Sequence, residues 1–175
     1  IYMAATSGCH FTGVEVNAVG IEVANTMVTN AGMTDRVAFV QADGMAMPFP
    51  DESFDIAISM NVMNVFADKV GLFREVRRLL KPGGVLLVTV PGICKLDPNW
   101  NDCWRFTPHS AGRLFREQFP PENVVVRGYG NVLAATAFLH GLAAGELTAA
   151  EKAHADPEYA LLIAVRAVRS PAPVQ

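Results

Sequence analysis

Residues 81–90 read KPGGVLLVTV. Lys81-Pro82-Gly83-Gly84 stops the helix before it, because proline lacks an N–H and clashes with the preceding turn, and glycine disfavours helix. Val85 to Val90 then runs apolar and largely β-branched without alternation. Such a run predicts a strand buried on both faces of a parallel sheet. Parallel strands need crossover connections, most often helices. The rest of the chain should therefore alternate strand and helix.

It does. IYMAATSG reads as the tail of a helix ending near Gly8. Phe11 to Val16 is a strand, and Asn17 is a good N-cap. Ala18 to Ala31 follows as a helix, with Val19, Val23, Met27 and Ala31 at helical spacing and Gly32 placed to end it. Arg36 to Gln41 and Phe54 to Met60 are the next strands. Asp68 to Leu80 is an amphipathic helix with Val70, Phe73, Val76 and Leu80 on one face. After Val85–Val90 come a polar loop from Pro91 to Thr107, a helix from Pro108 to Phe119 and a strand from Val124 to Tyr129. A helix from Asn131 to Gly145 and a last strand from Tyr159 to Val168 complete the pattern. The fold class is α/β, a doubly wound and mostly parallel sheet flanked by helices. The reading is one domain over 1–175, with a cofactor-binding part (1–91) and a variable, substrate-side part (92–175).

Composition narrows the function. The chain has 175 residues, 51% hydrophobic and 18% charged, which suits a globular domain and argues against disorder. A net charge of −3 lays down no basic footprint for nucleic acid and favours a small-molecule partner. No apolar run approaches the ~20 residues of a membrane span. Three cysteines, Cys9, Cys94 and Cys103, fit no disulfide framework and point to a reducing cytoplasm. None of Cys9, His10, Cys94, Cys103 and His109 pairs at zinc-ligand spacing, so no metal is expected.

Open parallel sheets bind ligands beyond the carboxyl ends of their strands. Glu15, Asp43 and Asn61 each lie just past a strand. A carboxylate there accepts from paired ribose hydroxyls, a second acceptor takes an exocyclic adenine amine, and apolar neighbours such as Val16 and Met45 sandwich a base. Each residue also has a plainer use: Glu15 as a helix cap, Asp43 as an Asx-turn.

FTGVEVN, VQADGMAMPFPDESFDIAIS and FREVRRLLKPGGVLLVTVP, in this order and spacing, resemble the class I methyltransferases that use S-adenosylmethionine. The likeness runs from about Phe11 to about Pro91. It implies that Glu15 takes the ribose hydroxyls and Asp43 the adenine amine, with Gly44 and Met45 backbone near the ring. Backbone from Ser59 to Asn61 would face the methionine end, and the last strand would be antiparallel. The family's first strand and glycine-rich loop precede the helix ending near Gly8. They are absent, and the first strand's place is between the strands at Phe11 and Phe54. The chain also opens on Ile1 rather than Met. The expectation is an N-terminally truncated piece of a longer protein. DCWRFTPHSAGRLF and GYGNVLAA resemble a bacterial subset associated with sugar or cell-envelope metabolism.

Methyl transfer by in-line displacement depends chiefly on positioning, so a general base is optional. The candidates are His109, Asp102 and, more distantly, His140, each with a structural alternative; for His140 that is a partly buried core position. Trp100, Trp104 and Phe106 would wall an acceptor pocket or serve as core. Arg105 would bind an anionic acceptor or pair with an acid. The apolar helix from Asn131 to Gly145 offers a homodimer surface. Two other classes remain: a non-catalytic methyltransferase-like scaffold and a nicotinamide-dependent oxidoreductase.

Overall fold

The computed structural model describes residues 1–96 and 104–170. The chain divides into two compact units, Ile1–Phe49 and Pro50–Gln175.

In the first unit, helix α1 (Tyr2–Ser7) ends on Gly8, which takes the left-handed conformation expected of it. Strand β1 (Phe11–Glu15) leads into helix α2 (Ala18–Asn30), and strand β2 (Val37–Gln41) pairs parallel to β1 from Phe11↔Val37 to Glu15↔Gln41. The Asn17 side chain accepts from the Val19 and Gly20 N–H groups and starts α2, as expected of an N-cap. The face of α2 differs from the expectation. Val19, Val23 and Met27 are exposed, while Ile21, Ala24 and Val28 turn inward. Both stripes are apolar at helical spacing, so periodicity alone does not choose between them. The core here is small: Ala4, Val28 and Val37, with Phe11, Met33 and Phe39 packed against them.

The second unit holds a four-stranded mixed sheet, in the order β3 (Phe54–Met60), β4 (Leu80–Pro91), β6 (Leu162–Val168), β5 (Val124–Tyr129). β3 and β4 are parallel, and the last strand, β6, runs antiparallel to both its neighbours. β4 begins at Leu80, earlier than the KPGG stop implies. Its register against β3 jumps from Phe54↔Leu80 to Ile56↔Val85, so residues 81–84 bulge out opposite Asp55. Gly83 takes φ 79°, which a residue with a Cβ adopts only under strain.

Helices α3 (Lys69–Leu79) and α4 (Pro108–Arg116) lie against one face of this sheet. On that face Leu86, Val88 and Val90 stand in register with Ala167, Val165 and Ile163, all buried. Phe73 of α3 meets Phe115 edge to face, with ring centroids 4.6 Å apart, and Phe119 follows at 6.3 Å. Burying rings of this size contributes about 3 kcal/mol or more each, judged by truncation to alanine. The other face carries the exposed Ile56, Ile58, Met60 and Leu87. Val85–Val90 is thus buried on one face only, contrary to the expectation from its continuous apolar run. On α3, Leu72 and Leu79 join Phe73 and Val76 inside, and Val70 points out.

The helix expected from Asn131 to Gly145 is shorter. Helix α5 (Val132–Leu139) ends at His140, and Gly141 follows at φ 76° with its N–H bonded to the Phe138 carbonyl. An earlier glycine than Gly145 therefore supplies the C-terminal turn. A 3₁₀ turn (Ala144–Glu146) and a helix α6 (Ala149–Ala153) fill the stretch before β6. No helix among the described residues is long and apolar enough to cross a membrane.

Candidate functional site

β1 and β2 end side by side, and both end in chemistry. Glu15 is the last residue of β1, opposite Gln41, and Asp43 stands two residues beyond. Both carboxylates are exposed. Each has one oxygen engaged locally. Glu15 Oε1 accepts from the Asn17 N–H at 2.8 Å, and Asp43 Oδ1 accepts from the Met45 N–H at 2.9 Å. Asp43 thus makes the Asx-turn foreseen as its plainer use, whereas Glu15 does not cap α2: Asn17 does, and Glu15 accepts only from the Asn17 N–H. Each carboxylate engages one oxygen in these bonds, and among the described residues the second accepts no hydrogen bond.

Gly20 gives Glu15 its room. A Cβ on Gly20 would sit 3.2 Å from the Glu15 Cγ and press on the carboxylate stem. Gln41 is a contributor that motif reading missed. Its side-chain amide donates to the Val16 carbonyl at 3.1 Å and ties the segment after β1 to the end of β2. The signal was available, since a long polar side chain two places before a strand-end carboxylate reaches the neighbouring strand's exit. Val16 is exposed, Gly44 and Met45 half-buried. Two open carboxylate oxygens beside an exposed valine and a half-buried methionine fit the nucleoside half of S-adenosylmethionine.

In the second unit Asn61 follows β3 directly. It adopts φ 55°, the left-handed region, and its N–H donates to the Thr89 carbonyl at 2.8 Å. Asparagine tolerates this conformation better than most residues with a Cβ. The chain turns sharply there into a 3₁₀ turn at Met63–Val65.

The aromatic expectations divide. Phe106 is core, 6% exposed, while Trp104 is 43% exposed and stacks on it at 6.4 Å. Lys69, another residue that sequence reasoning passed over, lies buried beneath Trp104. Its ammonium is 5.0 Å from the indole centroid and donates to the Asn64 and Phe66 carbonyls. A lysine at the first position of a helix reads from sequence as solvated, which is why nothing flagged it. Arg105 donates to the Trp104 and Lys95 carbonyls. Trp100, Asp102 and Cys103 lie outside the described residues.

His109 sits in the first turn of α4, which a Thr107–Ser110 capping box holds. It lines a cleft of about 330 Å³ with Pro108, Gly128, Ala155, Asp156 and Pro157. The carboxyl end of β5 contributes Gly128, so the cleft opens on the side of the sheet where ligands bind. Asp156 was not among the sequence candidates, and its position in a loop before β6 gave no reason to pair it with His109. His140 caps the end of α5, exposed and away from this cleft, so neither a partly buried core position nor a share in this site describes it.

A parallel strand pair ending in two half-open carboxylates, in a chain whose last strand is antiparallel, is the arrangement expected of a nucleoside-cofactor protein. The chain belongs to the methyltransferase domain family, whose model matches residues 1–88, and its class is the S-adenosylmethionine-dependent class I methyltransferases. Over 79 residues it is 38% identical to a sterol 24-C-methyltransferase of Gibberella zeae, a match covering 45% of this chain and 21% of that one. Over 75 residues it is 43% identical to the ubiquinone/menaquinone biosynthesis C-methyltransferase UbiE of Hahella chejuensis, covering 42% and 30%. The matched stretch is thus under a third of either relative's length. Among solved structures, the [4+2]-cyclase SpnF superposes with a TM-score of 0.68 at 22% identity, covering 97% of this chain and 70% of that one. At that identity the likeness shows the fold alone.

Proposed function

We propose that this protein is a methyltransferase that moves a methyl group from S-adenosylmethionine to a small-molecule acceptor. The observation that carries the reading is the pair of half-open carboxylates, Glu15 and Asp43, at the shared end of β1 and β2 within the stretch that matches the family. The cofactor supplies an electrophilic methyl group on a sulfonium. The chain's own part is to hold it. Glu15 accepts from the ribose hydroxyls, Asp43 accepts from the adenine amine, and Val16, Gly44 and Met45 line the base.

Acceptor recognition falls to 92–175 within a single methyltransferase-like domain. The His109–Asp156 cleft and Trp104 support that assignment, with His109 the base where an acceptor needs one. An oxygen on a sugar or cell-envelope metabolite is the acceptor class this reading favours. The resemblance of the DCWRFTPHSAGRLF stretch supports it. The sterol and quinone relatives are carbon methyltransferases by name, so acceptors vary widely across this family. A second copy of the chain would dock through the exposed Leu133, Phe138 and Leu139 of α5.

Calorimetric titration of S-adenosylmethionine into the chain tests the cofactor reading. Glu15→Ala should weaken binding about 10- to 100-fold, the worth of one or two charge-assisted hydrogen bonds at ~1.5–3 kcal/mol. The exposed position keeps the fold intact, so unchanged affinity in Glu15→Ala would sink the proposal.

A further inference from the structure

Far from the carboxyl ends of the strands, at the opposite end of β4, the second unit has a cleft of about 280 Å³ lined by Arg74, Arg77, Arg78, Gln118 and Arg169. Four arginines and one glutamine line it, with no acidic side chain in the lining among the described residues. They arrive from three places: one face of α3, the turn after α4, and the exit of β6. The chain as a whole carries −3, and here Glu75, Asp51 and Glu52 pair with two of the four arginines and leave the charge of Arg74 and Arg77 without an ion pair among the described residues.

Two of the arginines are fixed. Arg78 donates to both oxygens of Glu75 and to Asp51 at 2.7–2.8 Å. Arg169 donates to the carbonyls of Arg77 and Leu80 and to Glu52 at 2.7 Å. The guanidinium of Arg77 lies 5.9 Å from the centre of the Phe119 ring, which restricts its rotamers. Arg74 has neither an ion pair nor a hydrogen bond among the described residues. Charge at the last turn of a helix explains Arg77 and Arg78, because cations there oppose the helix dipole. It accounts for Arg169 as well, whose guanidinium donates to carbonyls of that turn, but not for Arg74, a turn earlier. Like charges at i and i+3 on one helix face repel unless an anion sits between them.

We infer that this cleft is a binding site for a phosphoryl group, either free phosphate or the phosphate end of a small phosphoester. The planar, forked guanidinium matches phosphate oxygens in pairs, which a lysine cluster does not. The forks of Arg78 and Arg169 are already engaged by Glu75, Asp51 and Glu52, so Arg74 and Arg77 are the ones to supply the donors to phosphate. The site lies at the amino end of the sheet, so its occupancy is independent of the cofactor reading.

The test is titration of inorganic phosphate, and separately of glycerol 3-phosphate, into the ¹⁵N-labelled chain at constant ionic strength, following the arginine Nε–H signals. Saturable shifts confined to Arg74, Arg77, Arg78 and Arg169 are expected. Arg74→Gln with Arg77→Gln should weaken binding tenfold or more, while Arg127→Gln, outside the cleft, leaves it unchanged. Both arginines are exposed, so the double variant should fold; if it does not, Arg74→Lys alone, which keeps the charge and loses the fork, should still weaken binding. Tighter binding of the ester assigns the organic part a role, and equal binding assigns phosphate alone. Shifts that never saturate, an equal loss in Arg127→Gln, or tighter binding of a polyglutamate peptide through the same arginines would overturn the inference.

Discussion

Lys69 carries more than its surface-type identity suggests. Its ammonium joins the Asn64 and Phe66 carbonyls to the face of Trp104, out of water. Lys69→Met keeps the stem's volume and removes the donor, leaving two carbonyls short of a partner. The expected cost is about 1–3 kcal/mol, read as a lower urea midpoint, together with a shift in tryptophan emission. Asn131 is the second such residue, 3% exposed. Its amide donates to the Glu151 and His154 carbonyls at 2.8 Å, and its oxygen accepts from the Ala134 N–H at 2.8 Å. Asn131→Ala removes an N-cap and strands two carbonyls, so a loss of about 2–4 kcal/mol is expected in the same denaturation experiment. Asn131→Asp, which keeps the cap but sets a buried carboxylate oxygen against the two carbonyls, should cost at least as much.

At the scale of elements, α6 is short enough that its caps decide whether it forms. Thr148 and Glu151 make a reciprocal capping box. The Thr148 hydroxyl, and then its backbone N–H, donate to the Glu151 carboxylate and hold its pKa below the ordinary value. A depressed folded-state pKa adds stability above the unfolded carboxylate pKa, and that contribution is lost as pH falls through the folded value. Helix α6 should therefore fray as pH drops below ~4, where free glutamates have begun to protonate. Amide shifts of residues 149–153 followed against pH check this. Thr148→Ala should raise the Glu151 midpoint, and an unmoved midpoint would contradict the assigned cause. The same scale holds the clearest misreading of a face, on α2. Apolar residues at proper spacing suggested a buried stripe, yet Val28 meets the core instead, with Ile21 and Ala24 half-buried beside it.

For the whole molecule, the two units differ in what holds them. The first rests on Ala4, Val28 and Val37 with three partly buried neighbours. The second packs three phenylalanines against β4 and β6. Amide exchange should follow that difference, because opening free energy tracks buried apolar contact. Amides of β1 and β2 should exchange at least tenfold faster than those of Leu86, Val88 and Val165. Equal protection across the chain would contradict the contrast in cores. Saturating S-adenosylmethionine should slow exchange in β1 and β2 if Glu15 and Asp43 hold it.

Sequence by itself determined the alternation of strands and helices, the Asn17 cap, the limits of β3 and β5, and the two strand-end carboxylates. These depend on local terms: side-chain period, backbone stereochemistry and capping chemistry. The fold class and the family were legible for the same reason, since their motifs are local. Tertiary structure alone decided which apolar faces are covered, that β4 starts at Leu80 with a bulge, and that Lys69 lies under Trp104. It alone brought His109 and Asp156 to one cleft and gathered four arginines from α3 and the exit of β6. Each of these depends on which segments meet, and segments distant in the chain carry no local mark of meeting.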